Sequence, residues 1–181
     1  PNTKRKQVLR FITGNVQCLK HKLPFATNRD TDKNTLTFHA FQDYKADRGG
    51  IIETGLDWRL TSIATEDGFY QRKKQSKLQP IKATVTHNTT SPPLKKTQYG
   101  GCVALAFKEI IPRIVDTSCD PEGLGRWVSQ LIEGTAGHSF RYVVGYMPCV
   151  NQGETTVYTQ HLEHFRNQET DREPCQAMVE D

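Results

Sequence analysis

Apolar positions along this chain fall into short clusters, and their spacing changes character near Pro148. Residues 7–16 mix β-branched and apolar side chains, which predicts a first strand running into a loop at Gln17. A polar stretch follows over 21–34. Leu36, Phe38, Phe41 and Tyr44 then form an imperfect helical stripe over 35–46, with Gly49-Gly50 ending it. Ile51-Ile52-Glu53-Thr54 reads as a short buried strand closing on a polar side chain. Residues 55–79 look irregular, although Trp58 and Phe69 need cover from a core or a ligand. Ile81, Ala83 and Val85 alternate with Lys82, Thr84 and Thr86, the period-2 signature of a strand with one solvated face. After the break at Pro92-Pro93, Tyr99-Gly100-Gly101 introduces a strand over 102–107. The segment 110–115 is expected to pair beside it as an edge strand because of Pro112. Further strands are expected over 123–131 and 141–146, the latter stopped by Met147-Pro148. Beyond this point Tyr158, Leu162 and Phe165 recur at i, i+4 and i+7, so they share a helical face. Asp171 is placed to cap a second short helix, with Pro174 in its first turn and Cys175, Met178 and Val179 facing inward. Strands followed by helices, with no internal repeat, predict a layered α/β domain.

Composition narrows the class. At 181 residues the chain has the usual size of one domain, and its apolar fraction of 35% is gathered in runs far shorter than a bilayer-spanning helix. No membrane insertion is expected. Lys4, Arg5 and Lys6 near the start are not followed by an apolar stretch, so no secretory signal is read and an intracellular or nuclear location is expected. The start at Pro1 permits a processed chain or an excerpt. The net charge is only +4, but it is unevenly spread. The first 29 residues are basic, Arg72, Lys73, Lys74 and Lys77 form a second basic cluster, and acidic residues dominate from Glu154 onward. Each basic cluster can be read as a track for a polyanion or as ordinary solvated surface. Five scattered cysteines fit neither a disulfide framework nor a zinc site, which favours a reducing compartment. Asn88-Thr89-Thr90 matches a glycosylation acceptor and is expected to be unused.

Three predicted strand ends carry the candidate chemistry: Asn15-Val16-Gln17, Glu53-Thr54 and Tyr146-Met147-Pro148. Asn15 can donate and accept hydrogen bonds, Glu53 can bind a hard divalent cation through oxygen, and Tyr146 can hold an anionic oxygen. By themselves the three residues are equally readable as a turn Asn, a surface Glu and an interfacial Tyr. Their context adds a resemblance. Arg10-Phe11-Ile12-Thr13-Gly14-Asn15-Val16, then Gly50-Ile51-Ile52-Glu53-Thr54, then Tyr99-Gly100-Gly101-Cys102-Val103-Ala104, then Val143-Val144-Gly145-Tyr146-Met147-Pro148 resemble, in that order, the endonuclease/exonuclease/phosphatase superfamily. Glu53-Thr54-Gly55-Leu56-Asp57-Trp58 is similar to the endonuclease-like domains of non-long-terminal-repeat retroelements.

The resemblance implies a partial four-layer α/β sandwich, with 1–181 forming the N-terminal portion of one such domain and its C-terminal half missing. It also implies DNA as the partner and Mg²⁺ or Mn²⁺ as the cofactor. Glu53 would be the metal-binding carboxylate, Tyr146 the contact to the scissile phosphate and Asn15 an organiser of the site. Gln17 would be a supporting polar residue and Asn151 a looser phosphate-facing candidate. Arg72, Lys73, Lys74 and Lys77 would contact the DNA backbone. The sequence departs from the pattern at Cys18, where a small Gly is usual, and at Ile52, where a Gln usually precedes the Glu. The later Asp-x-Asn and Asp-His motifs of the superfamily are absent, so the 181 residues alone are expected to be inactive. Besides an endonuclease, the resemblance leaves open a phosphomonoesterase or lipid phosphatase, and a decayed domain that only binds or supports.

Overall fold

The structure is a computed structural model in which residues 8–17, 19, 33–59, 69–90, 100–150 and 156–181 are described, residues 70–72 by backbone alone. Two sheets carry the fold. The first contains β1 (Phe11–Asn15), β2 (Arg48–Ile52), β3 (Ile81–Thr86) and β4 (Cys102–Phe107) in the order β1-β2-β4-β3. β1 runs parallel to β2, whereas β4 is antiparallel to both its neighbours. The second sheet is the antiparallel meander β5 (Ile114–Cys119), β6 (Trp127–Glu133) and β7 (Ser139–Gly145). Among the described residues the helices that accompany them are α1 (Lys33–Asp43), α2 (Phe69–Gln75), α3 (Val157–Asn167) and α4 (Pro174–Glu180). None among the described residues is long and apolar enough to cross a membrane.

β4 shows how the layers form. All six of its residues are buried, as a central strand covered on both faces requires. Val103, Leu105 and Phe107 face the helical layer, where they join Phe38, Phe41, Trp58 and Phe69. Cys102 and Ala104 turn the other way, toward Val128 and Val144, while Ala106 packs with Ile132. Small residues on this inner face let the two sheets approach. In the helical layer the rings touch in sequence, with Trp58–Phe69, Phe38–Phe69 and Phe41–Phe107 centroids 5.2, 5.7 and 5.6 Å apart. Full burial of each such side chain stabilises by about 1.5–3 kcal/mol.

Several elements differ from the sequence expectation. Helix α1 ends at Asp43, before the glycines, through a Schellman turn: Lys45 takes φ 51°, Lys45 N donates to Gln42 O and Ala46 N to Phe41 O. Phe38 and Phe41 are buried as expected, but Leu36 and Tyr44 are exposed and Asn34 and Thr35 take their places inside. Gly49 and Gly50 belong to β2. A Cβ on Gly49 would lie 2.9 Å from the Phe41 ring, and one on Gly50 would lie 2.9 Å from the Tyr142 hydroxyl, so the glycines are there for close packing on both faces. The stretch 55–79, expected to be irregular, contains α2. Pro112 sits in a 3-10 turn over Lys108–Arg113, and the strand after it pairs with β6 rather than β4. The expected 123–131 and 141–146 strands are β6 and β7, each displaced by a few residues. Glu173, not Asp171, caps α4, accepting from Gln176 N at 2.9 Å. Ala177 faces inward there, while Val179 is exposed.

The inner space between the sheets also holds a charge. Arg48 is fully buried, donates to Gln130 Oε1 and lies 4.7 Å above the Tyr142 ring. Its Nε and Nη1 have no hydrogen-bond partner. Burial lowers its pKa to about 10.

Candidate active site

Asn15 and Ile52 pair across the ends of the parallel strands β1 and β2, so Asn15 and Glu53 leave the sheet at one edge. The exit from β1 is tightly specified. Val16 N donates to Ile52 O at 3.2 Å, and Asn15 Oδ1 accepts from Gln17 N at 2.9 Å in an Asx turn. Gln17 has φ 46°, and Lys33 Nζ, from the start of α1, donates to the carbonyls of Val16 at 2.7 Å and Gln17 at 2.9 Å. Asn15 and Gln17 are both exposed at the resulting rim. Asn15 thus spends one amide oxygen on shaping the turn.

Glu53 itself takes φ 55°, a left-handed conformation that costs a non-glycine residue roughly 1–2 kcal/mol. The following backbone locks it in place: Thr54 N donates to Gly101 O and Gly55 N to Gly100 O, each at 3.1 Å, while Leu19 N donates to Thr54 O at 2.8 Å. Gly101, at φ 85°, is required here, since a Cβ would stand 2.6 Å from Thr54 Oγ1. The twist at Glu53 separates its carboxylate from the apolar face on which Ile52 packs.

Tyr146 approaches from the second sheet. Its N–H donates to Arg126 O at 2.8 Å, which continues the β6–β7 ladder by one step. Its ring packs with Cys102, Ala104, Val128 and Val144 between the sheets. Burial raises the phenol pKa well above its ordinary value, and the neighbouring Glu53 carboxylate raises it further. Glu53 and Tyr146, 93 positions apart in sequence, therefore form a pair at the mouth of the sandwich. Cys102 lies below them, its thiol pushed up to about 12 by burial.

The remaining expected residues are distributed differently. Asn151 lies outside the described residues, as does the side chain of Arg72. Lys73 and Lys74 are on α2, which packs on the helical face of the first sheet through Phe69. Burial lowers the Lys73 pKa. Lys77 precedes β3, whose first residue Ile81 pairs with Phe107, whereas the Glu53 end of the sheet is marked by Thr86 and Cys102. The cluster thus leads into the sheet at the end opposite Glu53.

A second polar group was given no role by the sequence. Asp57 is buried and takes a forked pair of hydrogen bonds from Arg59, Nε to Oδ1 at 2.9 Å and Nη2 to Oδ2 at 2.7 Å. This pairing holds the Asp57 carboxyl below the usual range. His87 Nε2 lies 3.2 Å from Asp57 Oδ1, and burial lowers the imidazole pKa despite that charge. Position 87 closes β3 beside Gly101, so the Asp57–His87 pair flanks the Thr54 turn. Only the Asp-x-Arg spacing hinted at it. Asn88 next door is buried and accepts from Thr90 N at 2.9 Å, leaving no accessible amide at the glycosylation-like triplet. In α3, His161 is buried and His164 Nε2 lies 3.3 Å from Glu122, consistent with the packing surface of that helix.

Among the described residues, no group of three or more His, Cys, Asp or Glu side chains is arranged to hold a metal ion. Glu53 supplies a carboxylate at the mouth of the sandwich. No family model matches the sequence, and no curated protein sequence matches it. Solved structures do bear some likeness to it. The AP endonuclease LMAP from Leishmania major superposes with a TM-score of 0.52 at 14% identity, over 87% of this chain and 46% of that one. The human Nocturnin catalytic domain with bound sulfate gives 0.47 at 13% identity, over 88% and 58%. The chain thus spans about half the length of these structures, and the likeness to the first establishes a shared mixed α/β, two-sheet fold.

Proposed function

We propose that this chain is the N-terminal portion of a divalent-metal-dependent DNA endonuclease domain of the endonuclease/exonuclease/phosphatase superfamily. The observation that carries the reading is the Glu53–Tyr146 pair, an acid and a phenol from different sheets meeting at one end of the sandwich. The fold shared with an AP endonuclease supports it. Mg²⁺ is commonly held by one or two carboxylates, waters and substrate phosphate, so Glu53 fits one corner of such a site and Asn15 can order the waters beside it. When bound, the metal would neutralise phosphate charge and favour a hydroxide nucleophile. The chain's own contribution is positional. Glu53 would hold the cation, and the Tyr146 hydroxyl, neighbouring that carboxylate, would donate to a phosphate oxygen brought alongside it. The further ligands belong to the proposed C-terminal half of the domain.

The test is Mn²⁺ binding and Mg²⁺-dependent nicking of supercoiled DNA by the naturally continued protein, compared with Glu53→Gln. We expect nicking to fall at least about a hundredfold with little change in thermal stability, because the amide keeps the volume but loses the charge. Equal turnover would remove Glu53 from the mechanism. A non-catalytic nucleic-acid-binding domain is favoured by the lack of a three-ligand cluster among the described residues. DNA binding without nicking under either metal would select that reading.

A further inference from the structure

Cys149 and Cys175 stand on different elements beside the candidate site. Cys149 is exposed three residues beyond Tyr146, and Cys175 is half-buried in the first turn of α4. The Cys175 thiol donates to the carbonyl oxygen of Pro148 at 3.1 Å. That carbonyl belongs to the peptide unit ending at the Cys149 Cα, so covalent geometry brings Cys175 Sγ within about 6 Å of that Cα. Disulfide geometry then needs side-chain rotation and a backbone shift of about 2 Å at most. The backbone at 146–150 belongs to no helix or strand, and Met147, Cys149 and Val150 are exposed, so the shift disturbs little packing.

We propose that Cys149 and Cys175 form a reversible oxidation site, at which a hydroperoxide converts the two thiols into a disulfide tying the segment after Tyr146 to α4. The exposed sulfur reacts first. The Cys149 thiolate attacks the peroxide O–O bond, forming an S–O bond and releasing hydroxide from hydrogen peroxide; the sulfur is oxidised and the peroxide reduced. Cys175 Sγ then attacks the Cys149 sulfenic acid. The S–S bond forms, the S–O bond breaks, and the departing hydroxide leaves as water with the Cys175 proton. Burial and the neighbouring Glu173 carboxylate keep the resting Cys175 thiol protonated, so it is not the sulfur that attacks the peroxide; it reacts in the second step as it gives up that proton. Neither of two other thiols competes from a comparable position. Cys102 is fully buried with its thiol on Arg126 O at 3.4 Å, and Cys119 lies at the end of β5, on the far edge of the second sheet from β7. The proposal stands on these positions alone and does not require nuclease activity.

The experiment is hydrogen peroxide treatment of the reduced 181-residue chain, followed by alkylation, digestion without reductant and mass spectrometry. The expected product is a crosslinked peptide pair containing Cys149 and Cys175, lost on adding dithiothreitol. Cys175→Ser should instead stop at a Cys149 sulfenic acid that a dimedone probe traps, while Cys149→Ser should leave Cys175 unlabelled. Circular dichroism of both variants confirms that they keep the fold. Oxidation of wild-type Cys149 to sulfinic acid with Cys175 still alkylated would overturn the proposal. So would a dominant disulfide from Cys149 to any other cysteine.

Discussion

Tyr146 and Glu53 acquire meaning only as a pair, because neither side chain alone distinguishes a site from a surface. Tyr146→Phe retains the ring that packs against Val128 and Val144 and deletes only the hydroxyl. In the proposed endonuclease this removes a donor worth about 1–3 kcal/mol, so turnover should fall roughly 5- to 150-fold with little loss of thermal stability. Unchanged nicking would make the tyrosine structural. His161 gives a test that needs no activity. Burial, then the neighbouring Arg126, lowers its pKa to about 4; His164 adds to the shift, while Asp120 and the Leu124 backbone oppose it. An unfolded chain takes up that proton near pH 6.5, whereas the folded one resists until about pH 4. Stability attributable to His161 is therefore intact above pH 6.5 and lost as pH falls from there toward 4, by up to about 3 kcal/mol. Denaturant unfolding of wild type and His161→Gln between pH 4 and 7 should show the slope in the former and a flatter dependence in the latter. Parallel curves would contradict it.

At the level of elements, β4 and α3 are readable from sequence because local pattern and burial agree. A continuous apolar run produces a strand covered on both faces, and the i, i+4, i+7 spacing puts Phe165 in the core under a Thr156 cap. Helix α2 was hidden because its window is largely polar around the buried Phe69. Its lysines set a third test. Replacing Lys73, Lys74 and Lys77 with Gln in the proposed endonuclease should weaken DNA binding and reduce the slope of log affinity against log salt by about 0.9 for each lost phosphate contact. The placement of Lys77 at the sheet end away from Glu53 makes this a test of whether bound DNA runs along the helical face. Identical slopes would put the cluster off the path while leaving Glu53 and Tyr146 untouched.

On the scale of the whole molecule, β1 and β7 are edge strands lying over each other, joined by Phe11–Phe140 and Phe11–Tyr142 ring contacts at 6.0 and 5.4 Å. Phe11 remains 46% exposed and Val143 53% exposed. If the domain continues as proposed, a longer natural protein should bury both, unfold at higher temperature and exchange the β7 amides more slowly. A 181-residue chain that is monomeric, unfolds cooperatively and matches the longer protein in stability and turnover would sink that proposal. The amino-acid pattern by itself determined a layered α/β chain that closes on two helices after its last strand, and that Asn15, Glu53 and Tyr146 stand at strand ends. These are local consequences of period and turn chemistry. Tertiary structure decided that Glu53 and Tyr146 meet, that Gly49 and Gly50 lie inside a strand, that Asp57 holds Arg59 and His87, and that Arg48 is buried between the sheets. Apart from the local Asp57–Arg59 fork, each depends on which distant segments pack against one another, and spacing along one chain does not encode that.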